Sequence, residues 1–192
     1  MKRLLTITSV ALLTAAMLPA AAAAQDDMDK PNIAFLPGIL DPFYQVMETG
    51  ILKAGEDYGL DIQVAQYPAT WGTSAQNPIL DALKGQGNLD YLITAPVSVN
   101  EMIAPLEEAL EQGTKIITVD TFLGDGDYVN GPVTFPISYI GSDNVEGGRI
   151  SCGAIADALG GAGKVYIQNT NPDVSSVMGR SQGCREVLDA YP

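Results

Sequence analysis

The chain predicts an α/β fold in which a parallel sheet is covered by helices. Two observations carry this: short apolar strand-like runs alternate with longer amphipathic ones, and most of the connections between them are brief. A third sets the size. Of 192 residues, 24 at the start read as a targeting segment, leaving 168, enough for one domain and part of another.

Residues 1–24 join the basic pair Lys2 and Arg3 to an apolar core, Leu4–Leu18, and the small-residue run Ala20–Ala24. This is the pattern of an export signal cleaved after about Ala24. The apolar core is short for a membrane span, and no cysteine stands at the cleavage point to take a lipid. The net charge of −13 becomes −15 once Lys2 and Arg3 are removed. So acidic a surface argues against a phosphate-backbone partner. With no histidine in the chain, Ser–His and Cys–His nucleophile pairs and the usual zinc sites are excluded. No metal and no cofactor is expected.

The first strand is Asn32–Pro37, followed by the loop Gly38–Asp41. Asp41 then caps a helix opened by Pro42 and ended by Gly59, with Phe43, Met47, Ile51, Ala54 and Tyr58 as its apolar stripe. Asp61–Tyr67 is the second strand, and a helix around Ser74–Lys84 follows the loop Pro68–Gly72. Leu89–Thr94 is the third strand. The helix Val99–Glu111 turns Met102, Ile103, Leu106 and Leu110 inward and stops at Gly113. Lys115–Val119 is the fourth strand, with Asp120 at its carboxyl end. A long Gly/Asp/Pro loop, Thr121–Phe135, leads to the fifth strand, Ile137–Gly141. Beyond it are a helix at about Asn144–Leu159 capped by Asp143, a strand Lys164–Gln168 and a helix near Ser176–Ala190.

Ligands of open α/β sheets collect at the carboxyl ends of the strands. Those ends carry Asp41, Phe43 and Tyr44, then Trp71, then Ala95–Ser98, then Asp120 and Thr121. Carboxylates that accept from adjacent hydroxyls, beside aromatic faces that cover C–H surfaces, suit a neutral polyol. Plainer roles stand beside these. Asp41-Pro42 is also an ordinary helix start, and Phe43 serves equally as core.

Three look-alikes carry no chemistry. Gly160–Lys164 (GGAGK) lacks the spacing of a phosphate loop and precedes a strand instead of following one. Gly124–Gly131 (GDGDYVNG) fails the calcium-loop spacing, and Asp125 and Asp127 lack the apolar setting of an acid–base pair. Cys152 shares a helical stripe with Gly148, Ile155, Ala156 and Leu159, and Cys184 one with Val177, Ser181, Leu188 and Tyr191. Both point inward; an oxidising compartment permits a disulfide between them, and two buried thiols are the alternative.

The stretch ISYIGSDNVEGGR (Ile137–Arg149) resembles the crossover between lobes in type I periplasmic sugar-binding proteins of the ribose-binding-protein-like family. The run ILDPFYQVMETGILKAGEDYG resembles their first loop and helix, and TVD at Asp120 their fourth-strand end. MGRSQGC, with Arg180, resembles the second-lobe turn that reaches into the cleft. The resemblance implies two Rossmann-like lobes with parallel sheets joined by a hinge near Ile140–Ser142. Residues 25–141 would form the N-terminal lobe and 142–192 the start of a C-terminal lobe left incomplete, as in a C-terminally truncated fragment.

By the same resemblance, Asp41, Phe43, Tyr44, Asp120, Thr121 and Arg180 would bind the ligand, with Trp71 and Asn171, the latter in the strand-end stretch Asn169–Asn171 facing the same cleft, as further candidates. Ribose-type members carry an arginine where Thr121 stands, which implies a different hydroxyl pattern or ring. The implied function is a monomeric periplasmic receptor, not an enzyme, that captures a monosaccharide or similar polyol and delivers it to an ABC importer. Two alternatives are a periplasmic sensor that signals to a membrane receptor and a carboxylate-based sugar enzyme.

Overall fold

The computed structural model describes residues 30–191; the export signal read at residues 1–24 lies outside them. Five parallel strands form one sheet: β1 (Ile33–Leu36), β2 (Ile62–Val64), β3 (Tyr91–Thr94), β4 (Lys115–Val119) and β5 (Ser138–Ile140), in the order β2-β1-β3-β4-β5. Ile33 stands opposite Ile62 on one side and Tyr91 on the other. Ile117 pairs in turn with Ser138. The chain winds outward from β1 in both directions, so the loops after β1 and β3 leave toward opposite faces. A crevice opens at such a switch point.

Three helices cover the sheet: α1 (Pro42–Tyr58), α2 (Thr73–Lys84) and α3 (Ile103–Glu111). Two clusters of buried side chains hold the layers together. Leu36, Leu80, Leu92, Met102, Leu106 and Ile116 form one, and Phe35, Tyr44, Ala95 and Val119 the other.

Helix α1 starts where Asp41 accepts the Phe43 N–H at 2.7 Å and ends at Gly59 in the left-handed region. Its inward face differs from the expected stripe. Phe43 and Tyr58 are exposed, whereas Tyr44 and Gly55 are buried. A Cβ on Gly55 would stand 2.9 Å from the Leu60 carbonyl oxygen, so the helix packs its own backbone against the entry to β2. Helix α3 begins at Ile103 rather than Val99. Pro105 accounts for this, because its ring would clash with the carbonyl of residue 101 in a longer helix. Ala109, not Leu110, takes the last inward position.

Past β5 the chain forms α4 (Asn144–Ala158) and α5 (Ser175–Leu188). These two helices lie against each other backbone to backbone: a Cβ on Gly148 would stand 2.2 Å from the Arg180 carbonyl oxygen, and one on Gly183 1.8 Å from that of Val145. Cys152 and Cys184 are disulfide-bonded, with Cα atoms 5.0 Å apart. The glycine-rich stretch after α4 closes that helix: Gly161 donates to Ala156 and Gly160 to Asp157, the paired bonds of a Schellman stop. The strand expected at Lys164–Gln168 is not formed. A strand exists through its ladder, and no strand lies alongside these residues among those described.

Candidate functional site

A cleft of ≈ 250 Å3 lies between the carboxyl edge of the sheet and the start of α5. Asp41, Phe43 and Tyr44 reach it from the start of α1, Trp71 from the loop before α2, and Asp120 from the end of β4. Thr170, Ser176, Val177 and Arg180 face them across the gap. Thus Asp41, Phe43, Tyr44, Asp120, Trp71 and Arg180 meet in one place, though they come from widely separated parts of the chain.

Asp120 sits on an unusual backbone. Its φ is +61°, and the Thr121 N–H donates to the Val119 carbonyl at 2.6 Å, closing a tight γ-type turn around it. Two bonds from β5 hold that turn. The Asp120 N–H donates to Ile140, and the Tyr139 hydroxyl donates to the Asp120 carbonyl, both at 3.0 Å. The side chain is supported separately: the Tyr44 hydroxyl donates to Oδ2 at 3.0 Å and the Thr121 hydroxyl at 3.4 Å. Burial raises the Asp120 carboxyl above the usual carboxylate range. The bonds from Tyr44 and Thr121, the Arg180 charge and the Ser176 hydroxyl offset only part of that. Burial and the neighbouring Asp120 charge together keep the Tyr44 hydroxyl protonated, so it acts as a fixed donor.

Aromatic rings form the wall beside Asp41. Phe43 meets Tyr44 edge-on at 5.2 Å and Tyr44 meets Trp71 at 6.2 Å. Tyr44 is 2% exposed and Phe43 53%, so Phe43 supplies most of the open aromatic surface of this pair. The Trp71 Nε1 is buried and has no hydrogen-bond partner among the described residues. Thr121 is fully buried beneath Asp120 and does not line the cleft. Asn171 also lies outside the lining, with its amide donating to the Val97 carbonyl at 3.3 Å. Thr170 lies inside the expected stretch Asn169–Asn171, whereas Ser176 and Val177 were not singled out from sequence. The serine pair opening α5 was the one signal for them.

A larger hollow of ≈ 360 Å3 lies between α4, α5 and the segment Val165–Thr170, lined largely by apolar side chains such as Ile155, Val165, Ile167 and Val177. It holds no carboxylate, and of the charged groups only Arg180 borders it. The smaller cleft has the richer chemistry: two acceptor carboxylates, one cationic donor and three aromatic rings. Among the described residues no cluster of His, Cys, Asp and Glu is arranged to hold a metal. The acidic turn shows why. Asp125 accepts from Asp127, and Asp127 accepts from Val129 and Asn130, so both carboxylates are engaged by loop backbone.

The chain is similar to proteins of known kind. It is 28% identical over 194 aligned positions, covering 100% of this chain and 60% of the relative, to the ribose import binding protein RbsB of Haemophilus influenzae. The RbsB of Bacillus subtilis is 26% identical over 149 residues, which cover 78% of this chain and 45% of that protein. An ABC transporter solute binding protein from Agrobacterium vitis, solved bound with α-D-tagatopyranose, superposes with a TM-score of 0.80 at 38% identity. That match covers 85% of this chain and 55% of the solved one. The chain therefore spans about half the length of the relatives it matches. Residues 33–192 match the family described as the periplasmic binding protein domain. The chain belongs to that family.

Proposed function

We propose that this protein is an exported solute-binding receptor that captures a neutral monosaccharide or similar polyol and delivers it to an ABC importer from the periplasm. Residues 25–141 form its first lobe and 142–192 belong to its second, hinged near Ile140–Ser142. The observation that carries the reading is the convergence of Asp41 and Asp120 with Arg180 from the far side of the crossover, beside Phe43, Tyr44 and Trp71. Carboxylates paired with aromatic faces match the hydroxyl and C–H sides of a sugar ring. The Trp71 N–H, without a partner among the described residues, supports the same reading, because a buried donor needs an acceptor. The formal charge of the lining, two carboxylates against one guanidinium, disfavours anionic sugars. Its role is binding and release, with closure driven by contacts that exist only in the closed state.

The test is isothermal calorimetry of the chain against D-tagatose, D-ribose, D-arabinose and their acidic counterparts. Neutral sugars should bind and uronates or sugar phosphates should not. Substituting Asp120→Ala should cost about 1.5–3 kcal/mol of affinity, the range for hydrogen bonds to charged groups. Unchanged affinity in that variant removes Asp120 from the site.

A further inference from the structure

Gln76 is a fully buried polar side chain with every hydrogen-bonding group engaged. It lies in the first turns of α2, where an apolar residue is the ordinary choice. Its Nε2 donates to the Pro37 carbonyl at 3.0 Å and to the Ala95 carbonyl at 2.8 Å. Its Oε1 accepts the Val97 N–H at 3.1 Å. Because two partners are carbonyls and one is an N–H, only one orientation of the amide satisfies them. Gln76 therefore ties the loop after β1, which leads to Asp41, to the loop after β3.

The carbonyl of the same residue, on the next peptide group, meets the segment before α5. Asn171 donates from Nδ2 to the Val97 carbonyl at 3.3 Å and accepts the Asp173 N–H on Oδ1 at 2.9 Å. Two residues on, the Val99 N–H donates to the Asp173 carbonyl at 2.9 Å. The Phe122 N–H donates to the Ser175 hydroxyl at 3.1 Å, next to Asp120. These bonds seat the start of α5, and so Ser176 and Arg180, against the sheet's carboxyl edge.

We infer that Gln76 and Asn171 are positioning residues, a brace running through the backbone of Val97 that sets where the α5 segment docks on the sheet. Neither lines the cleft. Gln76 holds Val97 by its N–H, and Asn171 grips the carbonyl of that residue. This gives Asn171 a role in closure in place of ligand contact. The consequence for sugar capture rests on the function proposed above, whereas the brace itself does not.

Amide hydrogen exchange on the full chain, followed by NMR at Val97, Val99 and Phe122, tests it. Asn171→Asp keeps the acceptor for Asp173 and removes the donor to Val97. It should speed exchange at Val99 and Phe122 by roughly tenfold or more while leaving the core of β3 protected. Gln76→Met, similar in shape but apolar, should speed all three. Leu80→Ala, in the core on the same helix, should loosen the sheet without singling out these amides. Unchanged exchange at Val99 and Phe122 in Asn171→Asp overturns the inference, as does an effect of Gln76→Met confined to Val97. Should Gln76→Met fail to fold, the Asn171→Asp result decides alone.

Calorimetry with D-tagatose and D-ribose adds the functional arm. Asn171→Asp should weaken binding about tenfold although it touches no ligand. Equal affinity in a chain that does bind sugar breaks the link to capture. A parent chain that binds neither sugar counts against the proposed function, and the exchange data still decide the brace.

Discussion

The Tyr44 hydroxyl donates to Asp120 Oδ2 at 3.0 Å, joining the first helix to the end of the fourth strand. Tyr44 is buried and Asp120 half-buried, so the bond is shielded from water and Asp120 is aimed before any ligand arrives. Tyr44→Phe removes the donor and leaves the ring. Sugar affinity should fall by about 0.5–1.5 kcal/mol with the fold intact, measured by calorimetry beside circular dichroism.

Asp120 should be costly to stability. Burial raises its folded pKa above the unfolded value, so the fold favours its protonated form. Its contribution to stability is thus fully present at acid pH, below the unfolded pKa, and is lost as pH rises through the raised folded value. Asp120→Asn should therefore melt higher than the parent at neutral pH, with the gap closing toward acid. A gain of roughly 2–4 °C corresponds to about 1 kcal/mol for a chain of this size. Sugar binding should be impaired in the same variant. Melting curves from acid to neutral pH check the sign.

The neighbouring glycines of α4 should respond in opposite directions. Gly148→Ala drives a methyl into the Arg180 backbone and should cost about 1–3 kcal/mol, as overpacking does. A Cβ on Gly147 meets nothing within 4 Å. Gly147→Ala should therefore stabilise by up to ~1 kcal/mol through helix propensity alone. Urea unfolding of the two variants separates them.

The Cys152–Cys184 bond spans 32 residues. Replacing both cysteines by serine should cost about 2–4 kcal/mol. Thiol titration of unreduced protein recovered from the periplasm should find neither cysteine free. Two titrating thiols would count against the bond.

Much of the fold was legible because its signals are local. Asp41 before Pro42, Gly59 after the last turn and the five-residue run Lys115–Val119 each state their role in a few residues. The inward face of α1 was harder to read. One of its contact positions is Gly55, which has no side chain to count, and another is Tyr44, a polar group bonded to a distant carboxylate. The strand expected at Lys164–Gln168 had the right composition, but a ladder depends on a partner that composition cannot supply. In the cleft, Asp41 and Asp120 stood out as charged residues at element ends, and Arg180 only through the resemblance carried by MGRSQGC. Ser176 did not, since a small hydroxyl residue at a helix start has many ordinary uses. Gln76 was invisible for a related reason: its partners are all backbone groups, which leave no mark in sequence.

The strand order also bears on how the molecule comes into being. Among the described residues β1 is the earliest strand, yet it lies inside the sheet between β2 and β3. Its Ala34, Phe35 and Leu36 are wholly buried in the finished fold. A chain that emerges from its amino end, from a ribosome or through a membrane pore, displays this strand before either of its partners. Its last neighbour, Tyr91–Thr94, follows only after more than fifty further residues. Until then the segment has nowhere to hide, so the interval between these two strands is the stretch of synthesis and transit in which the protein most needs to be kept from sticking to others.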